Sequence, residues 1–329
     1  MNEYYLNGID TATWGLIPGQ HRPGSNLALL GAWDLPARLG KCYGDWPGER
    51  GIEPYVSADE IRFGGRDIRW VGLLEAASKN EALRKLYAFF SYLDGLTGVV
   101  PLHSPEYGTW QVFVNGAIEV EYIGDGWCTV TVPFREPVVD LSGELPLNPL
   151  DFSPVDLGDG FLATGSGELI EIGQVNYDGY GIDSISFCGM GLMIMDTWGE
   201  FGRPAPKEDE GIGYAHEPYK ITSTGAREIG IRALISQPSY TAFKAVVKGL
   251  YALLSRPGLR MLTKEGDALR DCFAMHGFIV RNVHTYGAEV DGILELRLTE
   301  AGAWLDWGAL AGDGGAPIET EFGTLIITL

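Results

Sequence analysis

At 329 residues, with 45% hydrophobic and 21% charged residues, the chain has a globular composition and enough length for two ordinary domains. Forty-six glycines favour many turns over long helices. A formal net charge of -20 opposes general nucleic-acid binding, which needs a basic patch, yet it is compatible with an acidic channel that lets DNA slide past without sticking.

In chain order, residues 4–18 read as a strand, a turn at Asn7-Gly8 and a second short strand. Residues 19–51 mix Pro23, Gly24, Pro36, Gly40, Gly44, Pro47 and Gly48 with Trp33, Tyr43 and Trp46. Apart from strand pairing near 27–35, a stretch of that length predicts an extended arm or lid. Residues 61–63, the Gly64-Gly65 turn and residues 67–74 read as a hairpin. The clearest helix of the first half spans 80–93, where Leu83, Leu86, Tyr87, Phe90 and Leu93 form one apolar stripe suited to a sheet face. Ser78 or Asn80 caps it, and Gly95 and Gly98 stop it. Strands follow at 110–114, 118–123 and 127–134, joined by Asn115-Gly116 and Gly124-Asp125-Gly126. Residues 138–181 read as an ordered linker with its own small hairpin at 161–163 and 169–172.

The second half repeats this order. Residues 185–187, Cys188-Gly189 and 192–195 stand where 4–6, Asn7-Gly8 and 14–17 stood, and Glu217-Pro218-Tyr219 echoes Glu53-Pro54-Tyr55. Residues 228–235 match 67–74, and 240–254 match the first helix, with Phe243, Val246, Val247, Leu250, Leu253 and Leu254 as the apolar side. Residues 269–275, 278–284 and 293–298 match the strand trio, and Thr299-Glu300-Ala301 falls near Arg135-Glu136-Pro137. The expected fold is mainly β with α+β character: two tandem domains, each a β-sandwich or barrel-like sheet with one packed helix. The first covers 1–137, the linker 138–181, the second 182–301, and 302–329 is an extension whose final strand, 323–329, pairs with an existing sheet.

No catalytic residue, metal or cofactor is expected. His103, Ser104 and Pro105 form a turn cluster rather than a triad, and His276 and His284 with Asp271 or Glu289 lack the spacing of a metal site. Asp151, Asp156, Asp159, Glu168 and Glu171 miss the calcium-loop pattern, and Gly64-Gly65-Arg66-Asp67 is a turn, not a phosphate loop. Cys42, Cys128, Cys188 and Cys272 are far apart and read as free buried thiols. The start shows no secretory leader, and residues 186–195 are too short and glycine-broken to cross a bilayer. The unusual surface is aromatic: Trp33, Tyr43, Trp46 and Tyr55 could anchor subunit contacts, stack on a sugar, or cover their own sheet.

The run Tyr4-Tyr5-Leu6-Asn7-Gly8-Ile9-Asp10 with Trp14-Gly15-Leu16-Ile17 resembles the start of phage distal tail proteins. So do Gly40-Lys41, Tyr43, Asp45-Trp46, Gly51-Ile52-Glu53-Pro54-Tyr55, Phe63-Gly64-Gly65-Arg66-Asp67-Ile68 and the closing Phe134-Arg135-Glu136-Pro137. The resemblance covers about the first 140 residues and reaches the second half through the repeat. It implies a baseplate component of a phage or prophage tail, assembled in the host cytoplasm, with a tail-tube-like domain that closes into a ring around the DNA channel. Two such domains in one chain are closer to baseplate hub proteins, with three or six chains per ring. Its partners would then be its own copies, the tail tube protein and other baseplate proteins, with DNA passing through unbound and no membrane. Under this reading Trp33, Tyr43, Trp46 and Tyr55 contact neighbouring subunits across a free arm, and Leu83, Leu86, Tyr87 and Phe90 brace the ring sheet. The alternative is a virion-borne carbohydrate-binding or host-adhesion module.

Overall fold

The computed structural model describes residues 3–20, 28–46, 51–124, 126–144, 161–163, 169–171, 180–183, 185–200, 202, 204, 225–264, 267–302, 308–309 and 327–328. The first half contains β1 (Tyr5–Leu6), β2 (Ile9–Asp10), β3 (Leu16–Pro18), β4 (Leu29–Leu30), β5 (Tyr43–Gly44), β6 (Glu53–Pro54), β7 (Arg66–Glu75), α1 (Lys79–Asp94), β8 (Val100–Ser104), β9 (Gly108–Val114), β10 (Glu119–Gly124) and β11 (Trp127–Glu136). After β12 (Phe161–Ala163) and β13 (Leu169–Glu171) come β14 (Gly181–Ile182), β15 (Ile185–Ser186), β16 (Leu192–Trp198), β17 (Arg227–Gln237), α2 (Tyr240–Ser255), β18 (Arg260–Lys264), β19 (Asp267–Phe273), β20 (Phe278–Tyr286), β21 (Glu289–Glu300), β22 (Gly308–Ala309) and β23 (Ile327–Thr328).

Each half builds one large antiparallel sheet with one helix. The first sheet runs β2-β1-β8-β9-β11-β7-β3, with β10 also on β11 and β4 also on β7. The second runs β15-β14-β18-β19-β21-β17-β16, with β20 also on β21. Exchanging each strand for its counterpart turns one order into the other, so the fold is mainly β and its sheet-and-helix plan is duplicated. The match extends to single residues. Arg66 faces Glu136 across β7 and β11, and Arg227 faces Glu300 across β17 and β21. At the same distance beyond each arginine a serine caps a helix of 16 residues: Ser78 accepts from the Glu81 N–H at 3.3 Å, Ser239 from the Ala242 N–H at 3.2 Å. Asn7 and Asp183, both at a left-handed φ of 50°, turn the opening hairpins.

Several expectations shift. The opening hairpin of the second half sits one strand earlier than the repeat reading placed it: Gly181–Ile182, not 185–187, takes the place of Tyr5–Leu6. The anchor is the buried aromatic just before each strand, Tyr4 in one half and Tyr180 in the other. Strands β8 and β18 were not anticipated; Gly98 and Gly258, at φ 77° and 88°, turn the chain back from each helix toward them. Residues 61–63 form no strand on β7, and Phe63 makes an isolated bridge with Arg38. The linker hairpin forms, β12 against β13. Strand β23 pairs with β22 rather than with a large sheet. Glu217-Pro218-Tyr219 lies outside the described residues.

The helices divide the halves. α1 buries Ala82, Leu86, Phe89 and Leu93, with Leu83 and Phe90 half-buried and Tyr87 turned out, 66% exposed. The inward stripe is thus rotated by about one residue from the expected one. α2 buries the corresponding Phe243, Val247, Leu250 and Leu254, and also Gly249, Tyr251 and Leu253. A single sheet covers one stripe of a helix, so the additional burial requires a second neighbour.

Candidate assembly interface

That neighbour is the first half of the same chain. After β4, the described residues 31–46 and 51–64 cross to the second half. Leu35 exchanges both backbone hydrogen bonds with Phe278, at 3.0 and 3.1 Å, and Asp34 Oδ1 accepts from the Val280 N–H at 2.8 Å. Farther along, the Arg38 N–H donates to the Met275 carbonyl at 2.9 Å, Ile52 to Ala301 at 3.2 Å, and Gly258 donates to Val56 at 2.7 Å. Gly277 is required here: at φ 65°, a Cβ would stand 2.0 Å from the Leu35 carbonyl oxygen. The described part of the arm is therefore committed to its own chain, a correction to the expectation of a free arm. Backbone donors and acceptors on a long loop need partners, and β20 together with Gly258, Met275 and Ala301 supplies them.

Behind the arm, a polar hub and an aromatic wedge join the halves. Arg66 Nε pairs with Glu136 at 2.6 Å, and its Nη1 donates to the Tyr251 hydroxyl at 2.7 Å and to the Asp34 carbonyl at 3.2 Å. The Tyr251 ring stacks on Phe278 with centroids 5.5 Å apart. Trp33, 6% exposed, meets Trp110, Tyr240 and Phe243 edge-on at 5.6, 5.5 and 6.2 Å. Tyr240 also packs on Tyr107 and donates to its carbonyl at 3.0 Å. Lys248 reaches Asp140 at 2.7 Å, a largely exposed pair of small energetic weight.

Asp34 makes the junction pH-sensitive. Burial pushes its carboxyl up to about 6, against the lowering effects of the Val280 N–H, Arg66 and Arg281. A carboxyl raised in the folded state binds its proton more tightly there than when unfolded. Stability is therefore expected to rise as pH falls through about 6 toward the unfolded carboxyl value, and to be flat above it. The expected gain is on the order of 2–3 kcal/mol. Urea midpoints across that window check this, and Asp34→Asn should reduce the slope, with the remainder left to other buried carboxyls such as Glu136; an unchanged slope in the variant would refute the assignment.

The four arm aromatics separate. Trp33 lies in the wedge between the halves. Tyr43 and Tyr55 are half-buried on and beside the β5–β6 hairpin, and Trp46, 50% exposed, donates from Nε1 to Glu53 at 2.7 Å. Of the helix residues, Leu86 is buried against the sheet and Tyr87 is not. Sequence reasoning missed Asp34, Arg66, Glu136, Tyr240 and Tyr251. The available signal was positional: Arg66 and Arg227, like Glu136 and Glu300, fall at equivalent places in the repeat.

Among the described residues, one surface has no counterpart to this covering. Strand β10 occupies on β11 the place that β20 occupies on β21, yet all six of its residues are exposed, Ile123 at 62%. On β20, Phe278 and Val280 are buried where the arm lies. Among the described residues, no group of three or more His, Cys, Asp or Glu side chains is placed to hold a metal ion, and His276 pairs with Glu228 at 3.0 Å. The four cysteines are free, and no described helix is long and apolar enough to cross a membrane.

No protein-family model and no curated protein matches the chain. Among solved structures it is similar to the SPP1 Dit (gp 19.1) protein, described as a hub of the adsorption apparatus of phages that infect Gram-positive hosts. The identity is 8% and the TM-score 0.33, over 91% of this chain and 98% of that one, a remote likeness too loose to bear on function.

Proposed function

We propose that the chain is a structural component of a phage or prophage tail baseplate, whose copies close into a ring joining the tail tube to the baseplate around the DNA channel. The observation that carries the reading is the head-to-tail packing of two like units. The first half lends its arm to the second half's β20, and the first half's own equivalent edge, β10, is open. A contact of this kind between like units uses different surfaces on each, so every added unit presents the same unfilled face, and a rotation that closes yields a ring where one that does not yields a filament. An exposed edge strand invites pairing, and closure removes the liability. The sequence resemblance to distal tail proteins supplies the context. On this reading a ring takes three or six chains, and the net charge of -20 suits a lumen through which DNA passes unbound.

Light scattering and negative-stain imaging of the full chain test this. Discrete rings with a mass of three or six times 35.8 kDa are expected. The double variant Val120→Lys/Ile123→Lys, confined to the exposed strand, should lower that mass while leaving the circular dichroism spectrum of the folded chain unchanged. A wild-type chain that stays at 35.8 kDa at micromolar concentration would overturn the reading.

A further inference from the structure

Four arginines are buried in the described structure: Arg38, Arg66, Arg227 and Arg260. A guanidinium does not shed its proton in a protein, so each needs a compensating negative charge. Three have one: Arg66 with Glu136 at 2.6 Å, Arg227 with Glu300 at 3.1 Å, and Arg260 with Asp183 at 2.6 Å. Arg38, 8% exposed, has no carboxylate within 4 Å among the described residues. Its guanidinium lies near the rings of Phe63 and Phe273, at 5.9 and 5.3 Å. Its Nη1 makes one long contact, 3.4 Å, to the Tyr55 carbonyl, and its Nε is buried with no partner among the described residues. Arg260 adds a second positive charge nearby.

Beside Arg38 a cleft of about 480 Å³ opens between the arm and the second half. Lys41, Cys42, Asp45, Met275 and His276 also line it. Lys41 is exposed and, among the described residues, carries no ion pair; its ammonium lies 6.0 Å from the Tyr55 ring. In a chain with a net charge of -20, two cations on one cleft, neither in an ion pair among the described residues, stand against the prevailing sign. We propose that this cleft binds an anionic group, a carboxylate or a phosphate, with Arg38 as its principal counter-charge and Lys41 as the outer one. Charge-assisted contacts from a buried guanidinium are the strong kind, and filling the cleft supplies the partner that Arg38 lacks. The group comes either from a free anion or from an acidic side chain on another copy of this chain.

Calorimetric titration of the full chain with inorganic phosphate, and separately with acetate, at constant ionic strength tests the site. Saturable binding of at least one is expected. Lys41→Gln, at an exposed position that leaves the fold intact, should weaken it by about fivefold, the worth of one outer charge. Arg38→Gln should abolish it, with circular dichroism confirming the fold. Solution mass distinguishes the sources: a fall at saturating phosphate assigns an acidic side chain of another copy, and an unchanged mass assigns a free anion. Absence of saturable binding, or equal affinity in wild type and Lys41→Gln, would overturn the proposal. Neither result bears on whether the chain forms rings.

Discussion

Arg66→Ala is expected to destabilise the protein by about 3–5 kcal/mol, the cost of stranding one member of a buried ion pair. Arg66 and Glu136 have side chains about 8% exposed, and no other cation is paired with Glu136 among the described residues. The substitution also removes a donor from the Tyr251 hydroxyl and from the Asp34 carbonyl, so both halves lose a contact at once. Burial already raises the Glu136 carboxyl, with Arg66 opposing it. Without the arginine the group rises further and is held neutral more readily. The loss should therefore be smaller at acid pH than at neutral pH, because a protonated Glu136 no longer strands a charge. Chemical denaturation at two pH values reads both effects. A neutral-pH loss under about 1 kcal/mol would show that the pair is not buried in solution. Arg66→Met with Glu136→Leu should recover most of the deficit, since replacing both partners by apolar groups is often neutral.

How far the sequence led is visible in this hub. The repeat register was legible to the residue from 67–74 and 228–235, because alternation on long central strands admits one alignment that keeps the buried face buried. The two helices were legible from their spacing, yet the inward face of α1 was misread, Phe90 standing in for Phe89. Adjacent phenylalanines differ by a fraction of a turn, and only the sheet beneath decides between them. Short strands such as β8 were lost because two or three β-branched residues after a glycine carry no period. The arm was legible as unusual but not as to its destination. The contact of Asp34 with Val280 joins residues 246 positions apart, and no local pattern encodes it. Tyr251 falls outside the apolar side read for the second helix, and its hydroxyl is what meets Arg66. Nothing local in the sequence marks Arg38, since its burial depends on Phe273 and Met275 from the other half.

Trp33→Ala tests the arm's destination most directly. As an anchor between subunits, Trp33 would leave the stability of one chain nearly unchanged when truncated, and would lower the assembled mass. As a wedge within the chain, its loss should open a cavity against Trp110, Tyr240 and Phe243 and cost about 3–5 kcal/mol, the range for a buried large aromatic. Its Nε1 is buried with no partner among the described residues, so no hydrogen bond is forfeited and the loss is one of packing and transfer alone. The expected result is a lower urea midpoint with the assembled mass retained under native conditions. Trp46→Ala provides the contrast on the same arm. At 50% exposure and with a surface hydrogen bond to Glu53, it should move the midpoint by less than about 1 kcal/mol. Equal effects of the two substitutions on stability would mean that the wedge between the halves is not formed in solution. With that contact gone, the head-to-tail packing from which the ring was inferred would go too.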